Sequence, residues 1–231
     1  MNAARDQILH AVRRALKRGT AGGSARLRLE ARLNDPPRGP VPARAQIPHE
    51  ARLDLFEAMA RELSATVTRV AALAAVPAAV AEYLKAANLP PRLRMAPDPE
   101  LESLPWAGQA LLEVNTGRAE ESDPVSLTGA FAGIAETGTL MLLSGESGPT
   151  SLNFLPDTHI VVLKAARVVG PYEDAWDRLR GTYGRGILPR TVNLISGPSR
   201  TADIEQTIQL GAHGPRRLHI VLVGDARPNG G

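Results

Sequence analysis

The stretch "GIAETGTLMLLSGESGPTSLNFLPDTHIVVL", residues 133–163, sets two apolar runs, "TLMLL" and "HIVVL", on either side of a loop of Gly, Ser, Thr and Pro. Short continuous apolar runs bounded by turn residues are what strands covered on both faces require. Glu136 and Thr137, between Gly133 and Gly138, lead into the first run, and His159 opens the second. A carboxylate and an imidazole therefore stand at the mouths of two buried strands. The close succession of the runs predicts that part of the sheet is antiparallel or mixed.

Working outward, "TVTRV", "RLRMA" and "ALLEVN" precede the stretch as strands, and "TVNLIS" and "RLHIVLV" follow it. Between them lie helical patterns. "HEARLDLFEAMARELSA" repeats apolar positions at Leu53, Phe56, Met59 and Leu63, and "VPAAVAEYLKAANLP" carries Pro77 near its first turn and Asn88 at its end. Further helices are expected from Tyr172 to Leu179 and from Thr201 to Leu210, and Asp123 followed by Pro124 reads as a helix start. Strand runs alternating with amphipathic helices indicate an α/β fold with a mostly parallel sheet. No internal repeat is present.

This orderly pattern occupies residues 45–231. Residues 1–44 read differently: a helix of about Ala3 to Lys17 with Ile8, Leu9, Val12 and Leu16 on one stripe, then an extended Gly-, Pro- and Arg-rich arm. Arg5, Arg13, Arg14, Lys17 and Arg18 flank that stripe, so the helix suits either a protein partner or an anionic membrane surface.

Composition narrows the function classes. The 27 basic side chains exceed the 24 acidic ones by a net charge of +3, and they run from Arg5 to Arg227 without the clustering a nucleic-acid footprint needs. Cysteine is absent, which removes disulfides, thiolate zinc sites, a cysteine nucleophile and iron–sulfur ligation by this chain. The scattered His10, His49, His159, His213 and His219 have no metal-ligand spacing. No window is apolar enough for a membrane span and no secretory signal opens the chain, so a soluble cytoplasmic protein is expected.

Three segments carry candidate chemistry. Glu136 is placed to serve as nucleophile, general base or ligand anchor, or to accept backbone amides and hold its turn; Thr137, Gly138 and Thr139 accompany it. The loop "GESGPTSLNFLPDTHI" offers the hydroxyls of Thr150 and Ser151 and ends on Asp157 and His159, without the strand-turn-helix elbow of a hydrolase triad. The loop "SGPSRTAD" supplies Ser196, Gly197, Ser199, Arg200, Thr201 and Asp203 before the expected helix. A helix start there would hold a phosphate or carboxylate on its first-turn amides, or Ser199, Thr201 or Asp203 would cap it. His213 stands in the tight turn "LGAHGP", whereas His219, inside a strand, is assigned no role.

At "GIAETGTLML", "LPDTHIVVL" and "SGPSRTADIEQTIQLGAHGPRRLHIVLV" the sequence resembles the lactate-utilization protein C family, the LUD domain. The resemblance covers about Ala45 to Gly224, with a weaker likeness at "RDQILHAVRRAL". It implies a three-layer α/β/α sandwich similar to the sugar-phosphate isomerase and CoA-transferase group. It also implies a part in oxidising L-lactate to pyruvate together with two iron–sulfur partner proteins that hold the clusters, this chain binding no cofactor of its own. The alternative is a stand-alone enzyme acting on a small phosphorylated or acyl substrate, with chemistry related to CoA-transferases, isomerases or formyltetrahydrofolate cyclo-ligase. Glu136, His159 and His213 are then the candidate catalytic groups, and Thr137, Gly138, Thr139, Ser151, Ser196, Gly197, Ser199, Arg200, Thr201 and Asp203 the candidate ligand-binding ones. Glu136, Thr137, Ser151, His159, Ser199, Thr201, Asp203 and His213 are expected to meet in one polar cleft at the sheet rim, with a small carboxylate or phosphate as ligand.

Overall fold

Continuous burial along two strands organises the molecule. In "THIVVLK" and "RLHIVLV", successive side chains point to opposite sides of one sheet, so both faces must be covered. The structure is a computed structural model; it describes all residues except 1, 18, 20, 21, 185, 205, 206, 212 and 225–231, and the side chains of 2 and 201–210 also fall outside the description.

The chain divides into two compact units, residues 1–39 and 40–231. The first holds helices α1 (Asn2–Ala15) and α2 (Gly23–Asn34). Ile8, Leu9, Val12 and Leu16 of the apolar stripe are exposed. The second helix corrects the expectation of an extended arm over this segment: "ARLRLEARL" is built from strong helix formers, and Arg26 Nε donates to Glu30 Oε1 at 2.8 Å one turn on.

The second unit runs α3 (His49–Glu62), β1 (Thr66–Val70), α4 (Val76–Ala86), β2 (Arg92–Met95), α5 (Pro99–Glu102), β3 (Glu113–Thr116), β4 (Val125–Gly129), β5 (Ala132–Ile134) and β6 (Thr139–Leu143). It continues with α6 (Ser151–Phe154), β7 (Thr158–Lys164), β8 (Val168–Val169), α7 (Tyr172–Tyr183), β9 (Val192–Ile195), β10 (Arg200–Ile204), β11 (Thr207–Leu210) and β12 (Arg217–Val223). Six strands form a sheet in the order β1-β12-β7-β4-β2-β3, every pair parallel. A second sheet, β8-β5-β6-β9, is mixed. The two apolar runs of residues 133–163 thus belong to different sheets.

On one face of the large sheet, Ile160 and Val162 of β7 and Val221 of β12 pack against Val76, Val80 and Leu84 of α4. On the other, Val161, Leu163 and Ile220 meet Leu53, Phe56 and Ala60 of α3 together with Leu140 and Leu142 of β6. The small sheet therefore shares a layer with α3, and Ala175 of α7 covers its far side against Ile134, Met141 and Val169. The result is the expected α/β architecture, a parallel sheet flanked by helices.

Two expected helices are strands. Asp123 and Pro124 do not start a helix: "VSLTG" is β4, hydrogen-bonded between β2 and β7, and the Asp123 carboxylate accepts from Arg94 Nε at 2.9 Å. Arg200–Ile204 and Thr207–Leu210 are the antiparallel strands β10 and β11, with Arg200 paired to Leu210 and Thr201 to Gln209. The β-branched Thr201, Ile204, Thr207 and Ile208 suit a strand better than a helix. The first-turn amides that were to hold an anion are consequently engaged in, or replaced by, an antiparallel ladder.

Candidate functional site

His159 is the second residue of β7, where its neighbours across the sheet are Ser126 and Leu218. It shares the α3 face with Val161 and Leu163, and it is fully buried rather than partly exposed at the strand edge. Its Nε2 lies 2.7 Å from the buried Thr128 Oγ1, while its buried Nδ1 has no hydrogen-bond partner among the described residues. Burial pushes the imidazole down to about 3, so the ring is neutral at pH 7. Whichever tautomer is present, Nδ1 retains an unmet hydrogen-bonding capacity.

A cleft of about 230 Å³ opens over this histidine at the amino end of β7 and β12. Asn153, almost fully buried, joins His159 in its wall; Ser196, Gly197, Ser199 and His213 come from the two loops around the hairpin, and Phe154, Leu194 and Leu218 supply apolar surface. Backbone bonds hold those loops together: Ser199 N–H donates to Pro215 O at 2.8 Å and Gly211 N–H to Ser199 O at 3.0 Å. Gly197 has φ +82°, and a Cβ there would sit 2.4 Å from Leu63 O, so only glycine lets this turn press onto the end of α3.

The Glu136 loop reaches this cleft through hydroxyls. Thr139 Oγ1, fully buried, lies 2.6 Å from Ser196 Oγ, 2.7 Å from Thr137 Oγ1 and 2.9 Å from the Tyr172 hydroxyl. Ser196 is the member shared with the cleft wall. Glu136 itself does not line the hollow. Its carboxylate accepts the Tyr172 amide, at the first turn of α7, over a long 3.4 Å, and its own amide donates to Gly170 O at 3.1 Å. Gly138 is positioned by packing as well: with φ +64°, a Cβ would lie 2.3 Å from the Ala60 nitrogen of α3.

Ser151 and Arg200 are directed elsewhere. Ser151 accepts the Ala119 amide at 3.1 Å and borders a different hollow together with Thr150. The Arg200 guanidinium turns away to Leu63 O, at 3.1 Å, and to the Ser64 hydroxyl. The side chains of Thr201 and Asp203 lie outside the described residues. Sequence reasoning missed Asn153, Thr128 and Tyr172. Thr128 was hidden because its segment reads as a helix rather than as β4, and Tyr172 meets Thr137 and Thr139 only through tertiary packing. His219 behaves as a structural residue: it faces the opposite side of the sheet, stacks on Tyr83 with ring centroids 3.8 Å apart and contacts Thr66 Oγ1 through Nδ1 at 2.8 Å. Among the described residues, no group of three or more His, Cys, Asp and Glu side chains is arranged to hold a metal ion.

Parallel sheet, mixed companion sheet and a small polar cleft at the amino end of the central strands define an α/β protein. The LUD domain matches residues 53–223, and the chain belongs to that family. It is similar to lactate utilization protein C of Deinococcus radiodurans, 32% identical over 80% of this chain and 84% of that protein. Lactate utilization protein C of Bacillus subtilis is 34% identical over 49% of this chain and 47% of the relative, and an uncharacterized protein of Neisseria meningitidis is 36% identical over 48% of each. The chain thus spans about half the length of these last two curated relatives in its match. The crystal structure of a DUF162 family protein from Deinococcus radiodurans superposes with a TM-score of 0.58 at 26% identity, covering 77% of this chain and 99% of that one.

Proposed function

We propose that this chain works in L-lactate utilization as a non-redox subunit that binds a small carboxylate in the His159 cleft. Two iron–sulfur partner proteins take up the two electrons released when lactate, losing two protons as well, becomes pyruvate. The observation that carries this reading is the buried, neutral His159 with an unmet Nδ1 at a cleft of about 230 Å³ that also presents Asn153, Ser196, Ser199 and His213. That volume lies below the roughly 300–1,000 Å³ of drug-sized pockets and suits a three-carbon acid. An imidazole N–H would meet the carboxylate and hydroxyls the 2-hydroxy or 2-oxo group.

Relatives bearing the name lactate utilization protein C support the pathway assignment. The absence of cysteine supports the division of labour, since this chain offers no thiolate to a cluster. The reading places the protein in the cytoplasm; no helix among the described residues is long and apolar enough to cross a membrane.

The test is reconstitution. The chain is expected to co-purify with the two iron–sulfur proteins, and lactate-dependent electron transfer is expected to stop when it is omitted. Transfer that runs equally well without it rejects the proposal. Turnover of a phosphorylated or acyl substrate by the isolated chain, abolished by Glu136→Gln with folding intact, would instead make it a stand-alone enzyme.

A further inference from the structure

A second hollow, of about 460 Å³, shares no lining residue with the His159 cleft. Thr150 and Ser151, at the start of α6, border it, whereas Asn153 and Phe154 border the cleft. Arg118, from the segment between β3 and β4, and Arg190, from the segment between α7 and β9, also line it. Neither arginine has an ion-pair or hydrogen-bond partner among the described residues. No carboxylate there lines the hollow.

Two serines of the wall have fixed oxygens. Ser151 Oγ accepts the Ala119 amide at 3.1 Å and Ser144 Oγ accepts the Thr191 amide at 2.8 Å. Each serine oxygen is thereby held in place with its own hydroxyl proton left to give. Gly145 and Gly148 satisfy one another's amides and carbonyls, at 3.3 and 3.2 Å, so the loop between β6 and α6 does not draw those protons inward. Two uncompensated guanidinium groups and two preset hydroxyl donors exceed what one carboxylate accepts, but they match the three oxygens of a phosphoryl group.

We infer that this hollow is a binding site for the phosphoryl end of a phosphorylated metabolite. Its volume is larger than the His159 cleft and accommodates more than a free phosphate ion. The site is independent of lactate binding, so it survives or fails separately from the proposed function.

Calorimetric titration of the full chain with inorganic phosphate, pyrophosphate and malonate tests it. Saturable binding of phosphate and tighter binding of pyrophosphate are expected. Arg118→Ala and Arg190→Ala should each weaken pyrophosphate about tenfold or more, while Arg26→Ala leaves it unchanged. Arg118 and Arg190 are exposed and unpartnered among the described residues, so thermal melting of the variants should match the parent. The inference is overturned if phosphate and pyrophosphate give no saturable binding, if the two variants bind as the parent does, or if malonate binds as tightly as pyrophosphate.

Discussion

His159 and His219 occupy opposite faces of the same sheet and share one electrostatic consequence. Burial pushes His159 down to about 3; burial, aided by the charge of Arg61, pushes His219 down to about 4, both from 6.5. The folded protein keeps both rings neutral, whereas the unfolded chain protonates them below about pH 6.5. Their contribution to stability is therefore complete above that pH and is lost as pH falls toward 3–4, amounting to about 2 kcal/mol for each ring by pH 5. Urea unfolding free energies should decline between pH 7 and pH 5, and His159→Asn should remove about half of that decline; an unaltered slope in the variant would refute the assignment. The hydroxyl cluster makes a second expectation. Thr139→Val nearly conserves volume but takes away the hydroxyl that Ser196 contacts, while Thr137 and Tyr172 keep their own bond at 3.0 Å, so urea unfolding free energies should fall by about 1 kcal/mol.

At the scale of elements, the loop that forms the cleft rim depends on contact with α3. Gly197→Ala combines a left-handed backbone with a Cβ 2.4 Å from Leu63 O, and it should lower the melting temperature and weaken lactate binding together. A variant that melts earlier yet binds lactate normally would separate the rim from the site. Strands such as β6, β7 and β12 were legible because apolar runs too short for buried helices leave few alternatives. The β10–β11 hairpin was not: "ADIEQTIQL" spaces Ile204 and Ile208 by one helical turn behind two acids, a pattern that local reasoning reads as a helix. What decides against it is pairing between Arg200 and Leu210, a relation between positions rather than a property of either. The same holds for the cleft. His159, Ser196, Ser199 and His213 stand at strand ends and turns and attract notice in the sequence, but Thr128 touches His159 across 31 residues and Tyr172 reaches Thr139 across 33.

For the molecule as a whole, the three apolar clusters draw only on residues 53–223, the span that matches the family. A chain beginning at Pro40 should therefore unfold cooperatively with a melting temperature close to that of the parent; calorimetry showing a broad transition would place essential stability in the helices of residues 1–39. The strand order carries a consequence for synthesis. β12, which follows every other strand of this sheet in the chain, lies between β1 and β7. While the ribosome has yet to release residues 217–223, the nascent chain must carry both flanking strands with unpaired edges facing an empty slot, the circumstance that invites aggregation and chaperone capture. A polypeptide stopped at Arg216 should accumulate as insoluble material, whereas a chain that includes residues 217–223 should reach solubility once β12 inserts.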